Sequence, residues 1–337
     1  MRYLAGAVTV LALAMAPAYG QSDTPSAPAP QQSATPSAPA PQQEVPNAPA
    51  AAGAPGEVKF PPVEAANFTA DQPTKEEVEA FLKNSWGYDT DRVWEVYSIQ
   101  KTRAPGVSKV QVLLAQKANP QQIANLSFYV TPDGKHLISQ DTVLDFGARP
   151  YAENFHTLQQ EANGPSRGAA GKQFELVEFA DFQCPHCKEA QPIMEKLVQD
   201  YPQAHFVFEN FPLVNIHPMA YKAAVWSACV FQQGGSDAFF KYADSAFAGQ
   251  NDLGGQGAAQ ALRNSVIAAG LDPDKVAACA DSPAGKSAVD ASMKLGNELG
   301  VDQTPWLFID GRGLPMLEVP YDQLKKIIDW QFSEDKQ

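Results

Sequence analysis

The stretch Phe174-Glu175-Leu176-Val177-Glu178-Phe179-Ala180-Asp181-Phe182-Gln183-Cys184-Pro185-His186-Cys187 joins a strand to a helix through two cysteines. Residues 174–180 are mostly apolar and read as a buried strand. A helix begins within the Cys-x-x-Cys motif. Ala190, Ile193, Met194, Leu197, Val198 and Tyr201 then recur at helical spacing on one face. Pro192 is expected to kink that helix. His205-Phe206-Val207-Phe208 is a second strand. Strand, helix and strand in this order make parallel neighbours.

Two thiols three residues apart on a first helical turn can close a small disulfide. Cys184 belongs at the helix N-terminus, where unpaired N–H groups and the macrodipole favour a thiolate. Pro185 suits the first helical position, whose N–H is not needed. His186 adds a donor, and a positive charge when protonated. The expected Cys184 pKa therefore lies well below the free-thiol value of ~8.5. A stabilised thiolate is a good leaving group, so a disulfide containing it is readily passed to a substrate. Cys187, deeper in the turn, is the expected resolving thiol. The competing readings are a zinc site and an inert disulfide. Zinc normally takes four ligands, often from paired Cys-x-x-Cys elements, and no second such motif exists in the chain. No metal and no cofactor are expected.

Farther along, residues 217–232, 236–248, 256–269, 273–281 and 285–299 read as helices punctuated by Gly234-Gly235, Gly254-Gly255, Gly270 and Pro283. Strands return at Trp306-Leu307-Phe308-Ile309 and from Leu314 to Val319, and a last helix carries Tyr321, Leu324, Ile327 and Ile328 on one face. Thr304-Pro305 precedes the first of these strands. A proline there is awkward unless its N–H is unwanted and its bond is cis. The order is β-α-β, a block of helices, then β-β-α. Without the block this is the thioredoxin arrangement. The fold class is thus α/β: a thioredoxin fold with an inserted helical subdomain at about 217–300.

Residues 172–333 resemble the DsbA-like thioredoxin family. The matching pieces are residues 177–187, Phe211-Pro212-Leu213 with His217-Pro218, and Gly300-Val301-Asp302-Gln303-Thr304-Pro305. Cys-Pro-His-Cys is the choice of the oxidase members. The resemblance implies that Cys184, Pro185, His186 and Cys187 form the redox centre and that Thr304 and a cis Pro305 face it and pair with an extended substrate. It also implies that Glu178 is a buried acid mediating proton transfer, against the alternative of an edge-facing glutamate. The best-known oxidase carries a lysine on the next strand, where Phe206 is aligned here, and valine where Thr304 stands. Thioredoxins and isomerases carry threonine at that position.

The N-terminus has the three parts of a secretory signal. Arg2 precedes an apolar run from Leu4 to Met15, and Ala18-Tyr19-Gly20 is the favoured cleavage site. The run is shorter than the ~20 residues of a membrane span; an uncleaved anchor is the less favoured alternative. Residues 1–20 are therefore read as signal and the protein as periplasmic or otherwise extracytoplasmic. Residues 21–57 are dominated by Pro, Ala, Gln and Ser, with Thr-Pro-Ser-Ala-Pro-Ala-Pro-Gln-Gln at 24–32 and again at 35–43. Such a segment is expected to be an extended linker. In an oxidising compartment Cys229 and Cys279 read as a structural disulfide pinning two helices, worth roughly 4 kcal/mol in the chain-entropy model. The alternative is two buried free thiols. Some DsbA-like proteins carry such an extra pair.

Residues 58–148 read as a small α+β domain. Thr74-Lys75-Glu76-Glu77 is a capping box opening a helix. Val93 to Ile99, Val110 to Leu114 and Leu126 to Val130 are strand-like, and Pro132-Asp133-Gly134 leads into His136-Leu137-Ile138. Residues 128–138 are similar to the hairpin in the dimerisation domain of DsbC- and DsbG-type isomerases, which implies a homodimer through 58–148. Residues 149–171 are a connecting helix and linker. The formal net charge of −13 argues against nucleic acid as a partner. The expected partners are exported proteins with cysteines and a membrane thiol oxidase of DsbB or VKOR type, or a reductase, for recycling. Three functions are compatible with these residues: a dithiol oxidase, a dimeric isomerase or reductant, and a non-catalytic binding or chaperone module.

Overall fold

The computed structural model describes residues 57–140 and 142–334. The expected signal segment and, apart from residue 57, the proline-rich linker lie outside the described residues. Two five-stranded sheets organise the rest.

The first sheet is an antiparallel meander of β1 (Arg92–Lys101), β2 (Ser108–Gln116), β3 (Asn119–Val130), β4 (His136–Ser139) and β5 (Thr142–Asp145). Helix α1 (Lys75–Trp86) covers it. Thr74 and Glu77 form the capping box at its start. Val78, Phe81, Leu82 and Trp86 pack on Val96, Ile99, Val110, Val112 and Phe128. β3 starts seven residues earlier than the apolar run at 126 suggests. Its first half is largely exposed, so it carries no apolar alternation. Backbone pairing of Asn119 with Gln116 and of Ala124 with Leu114 extends it.

The second sheet has the strand order β10-β9-β7-β8-β6. Its centre is β7 (Glu175–Ala180), followed by α3 (Pro185–Asp200) and the parallel strand β8 (His205–Asn210). β9 (Trp306–Ile309) lies antiparallel on the other side of β7, and β10 (Arg312–Pro315) closes that edge. β6 (Ser166–Gly168), within a stretch whose small residues read as linker, pairs with β8 at the opposite edge. The expected strand from 314 to 319 ends at Pro315; a short 3₁₀ turn follows. Every residue of β7, β8 and β9 is buried, as expected of strands covered on both faces.

α2 (Ala152–Glu161) connects the two sheets, and α8 (Tyr321–Glu334) covers the second. The block between β8 and β9 holds α4 (Ala220–Ala248), α5 (Ala258–Ala268), α6 (Pro273–Asp281) and α7 (Pro283–Glu298). α4 breaks at Gly235, whose φ of 70° is outside the helical region. α3 runs through Pro192 to Asp200, held on either side of the proline by buried Ala190, Met194 and Leu197. The architecture is a thioredoxin fold with an inserted helical subdomain, preceded by a small α+β domain. The domains touch closely at Gly87, where an added Cβ would lie 2.5 Å from the Trp330 ring.

Candidate active site

Cys184 is the N-cap of α3 and Pro185 its first residue. Both sulfurs of the motif are thiols. Cys184 is 4 % exposed and Cys187 fully buried. The Cys184 thiol donates to the Thr304 carbonyl at 3.4 Å, and the Asp181 N–H donates to the Cys187 sulfur at 3.3 Å.

The two thiols are driven apart electrostatically. The Cys187 thiol, hydrogen-bonded to the Cys184 sulfur, is the main reason that the Cys184 pKa falls to about 5; the Thr304 side chain and the N–H groups of Cys187 and His186 add to it against the effect of burial. Burial pushes Cys187 well above its ordinary value, and the neighbouring Cys184 adds to the rise. The His186 ring is exposed and pairs with Glu189 at 3.1 Å. The His186 backbone N–H also reaches the Cys184 sulfur and helps to lower its pKa.

The Thr304–Pro305 bond is cis. It sits just before β9, where Trp306 pairs in register with Phe179 of β7. This brings Thr304 to Cys184 across 120 residues of chain.

Glu178 is 3 % exposed. Gln191 Nε2 lies 3.3 Å from Glu178 Oε1 and 3.1 Å from the Cys187 carbonyl, bridging the acid to the cysteine turn. Burial raises the Glu178 pKa to about 7, opposed by the charge of Arg167. In register, Glu178 faces Phe208 of the next strand; Phe206, aligned there from sequence, faces Leu176. The nearby cation comes from β6. Arg167 pairs with Phe206 along the strands and with Glu195 at 2.6 Å.

Cys229 and Cys279 are joined by a disulfide with Cα atoms 5.9 Å apart. It ties α4 to α6.

Four residues of the site were not singled out from sequence. The buried Asp181 carboxylate accepts from Gln183 N, Leu213 N and the His217 ring, the last at 2.7 Å. It thereby joins the cysteine loop to the 211–218 segment. Gln183 accepts from Met219 N at the approach to α4 and donates to the Leu253 carbonyl. Gln250 donates to the carbonyls of Phe182 and Cys184. Asp181, Gln183 and His217 were visible only as parts of the family-like segments; Gln250 had no local signal.

Residues 161–330, half of the chain, match the family model described as thioredoxin. Among solved structures, a thioredoxin-like oxidoreductase from Silicibacter pomeroyi aligns at 22% identity with a TM-score of 0.45, covering 52% of this chain and 96% of that one. BdbD from Bacillus subtilis, in its oxidised form, aligns at 22% identity with a TM-score of 0.45, covering 52% and 94%. The catalytic domain of Proteus mirabilis ScsC gives 22%, 0.44, 53% and 98%. Among curated proteins, the Na(+)/H(+) antiporter NhaA 3 of Salinispora tropica is 36% identical over 87 residues, 26% of this chain and 13% of that protein. NhaA 1 of Salinispora arenicola is 33% identical over 87 residues, with the same coverage. The chain thus spans about an eighth of the length of these curated relatives.

Proposed function

The chain belongs to the thioredoxin family, and we propose that this thiol–disulfide oxidoreductase is a dithiol oxidase that introduces disulfides into exported proteins. The observation that carries the reading is the opposite displacement of two thiols on one helical turn: Cys184 down to about 5, Cys187 well up.

In the oxidised enzyme a substrate thiolate attacks the Cys184 sulfur. A substrate–Cys184 bond forms, the Cys184–Cys187 bond breaks, and Cys187 leaves and takes a proton. A second substrate thiolate then attacks the substrate sulfur, and Cys184 departs as the stabilised thiolate. Two substrate thiols have become one disulfide, and the enzyme holds the two electrons as a dithiol. Glu178, reaching the turn through Gln191, is the group proposed to supply the proton to Cys187. A membrane thiol oxidase outside the cytoplasm would restore the disulfide. No helix among the described residues is long and apolar enough to cross a membrane.

A second reading, a dimeric isomerase or reductant, draws on the N-terminal sheet. Ile123, Tyr129 and Val143 are exposed there, as a pairing face would require. Light scattering separates the two: a strict monomer removes the isomerase.

The deciding measurement is the equilibrium of the Cys184–Cys187 pair with glutathione, alongside oxidation of a reduced two-cysteine peptide. An oxidase is expected at or above about −180 mV; a value below about −300 mV would mark a structural bond and a non-catalytic module. Cys184→Ala must abolish peptide oxidation; survival of the activity sinks the mechanism.

A further inference from the structure

Where the N-terminal domain meets β9 and β10, the fold forms a partly open cavity of 380 Å³. Small-molecule sites run from roughly 300 to 1,000 Å³. Three side chains lining it carry buried polar atoms with no hydrogen-bond partner: the Ser85 hydroxyl, the Trp306 indole Nε1 and Arg312 Nη1. All three residues are more than nine-tenths buried. A buried polar atom left unpaired is costly, and three at one cavity point to an occupant.

Arg312 narrows its chemistry. Nη2 donates to the Ser85 carbonyl at 2.7 Å, and the guanidinium stacks 4.8 Å from the centre of the Tyr88 ring. Arg312 pairs with no carboxylate among the described residues, and its guanidinium also lies 5.3 Å from the centre of the Tyr151 ring. Two acids also line the cavity: Glu298 pairs with Lys294 at 2.9 Å, and Asp145 stands 3.9 Å from a His136 ring whose other nitrogen lies 2.7 Å from Asp133. An indole N–H and a guanidinium N–H can only donate. Donors around a buried cation select an acceptor that is also an anion. Much of the wall is apolar, including Phe81, Leu144, Leu299 and Phe308.

We propose that this cavity binds a small carboxylate with a compact apolar body, its oxygens on Arg312 and Trp306 and its body against Phe81, Leu299 and Phe308.

The test is calorimetric titration of naphthoate, phenylacetate and octanoate into the purified chain, each beside its neutral alcohol. At least one acid should saturate, with its alcohol about tenfold weaker or worse, the equivalent of one charge-assisted hydrogen bond. Indole fluorescence should change with it, because Trp86 and Trp306 line the cavity. Arg312→Met should weaken the acid by a similar factor and leave the alcohol unchanged. Since loss of that guanidinium could disturb the fold, Leu144→Trp serves as a second variant: filling the space should abolish binding while circular dichroism and thiol exchange stay as in the wild type. No binding by any acid, equal binding of acid and alcohol, or undiminished binding to a folded Leu144→Trp chain overturns the proposal.

Discussion

Gln250 holds the backbone of Cys184: its Nε2 donates to the Cys184 carbonyl at 2.8 Å and to the Phe182 carbonyl at 2.9 Å. One side chain from the helical insertion thus fastens the loop that carries the reactive sulfur.

Replacing that side chain strands two carbonyls. Gln250→Ala is expected to lower stability by about 1–3 kcal/mol and to slow thiol exchange, because the Cys184 loop loses its tether. Urea unfolding and the rate of mixed-disulfide formation with a model peptide measure the two effects. An unchanged exchange rate would confine Gln250 to a structural part.

The Cys184 thiolate depends first on its partner. Cys187→Ala removes the leading donor to the Cys184 sulfur. The Cys184 midpoint should rise from about 5 yet stay below the free-thiol value of ~8.5, because the helix-start N–H groups remain. Alkylation rate against pH follows it directly. A midpoint that stays put would show that the helix start alone sets the thiolate.

The same thiolate makes the dithiol form more stable at higher pH. In the folded chain Cys184 loses its proton near pH 5; unfolded, it keeps it to ~8.5. Between these values the unfolded chain binds one more proton, so stability from this group rises with pH, is complete above ~8.5 and is lost as pH falls through about 5. Cys187 is raised and keeps its proton across this window. Glu178 acts in the opposite sense at its lower end, so the quantity to measure is wild type minus Cys184→Ala. That difference, from urea melts of the reduced proteins, should grow from pH 5 to 8.5.

Burial of Glu178 raises its folded pKa from 4.5 to about 7. Across that window the folded chain binds the extra proton, and stability falls as pH rises. Glu178→Gln keeps an acceptor for Gln191 and removes the charge. It should match the wild type below pH 4.5 and exceed it above pH 7 by on the order of 3 kcal/mol. It should also slow the step in which Cys187 leaves and erase any rate inflection near pH 7. A variant less stable at pH 8 would contradict this account.

The strand, the cysteine turn and the helix after it were legible because their signals are local. An apolar run, a proline at the first helical position and a period of 3.6 all lie within residues 174–201. The residues that complete the site are held by contacts distant in sequence. Gln250 reaches 66 residues back to Cys184, and His217 reaches 36 back to Asp181; in the cavity beside β10, Arg312 reaches 227 back to Ser85. No window of sequence contains both ends of such a pair. The His186 ring, whose charge its identity suggested for the sulfur, lies against Glu189, a contact its sequence position alone did not announce. β6 was missed because three edge residues in a glycine-rich stretch carry no periodicity.

Under the proposed function, the depth of the two sulfurs would turn the enzyme into a kind of clock. Cys187 offers no surface and Cys184 only 4 % of its own. A cysteine inside a finished fold cannot come within bonding reach of such a recess; one on a loose, newly emerged segment can. Each substrate cysteine would therefore be available only until its own chain closes over it. The bonds made here would record the order in which cysteines arrive, and any pairing that differs from the final structure would have to be corrected elsewhere.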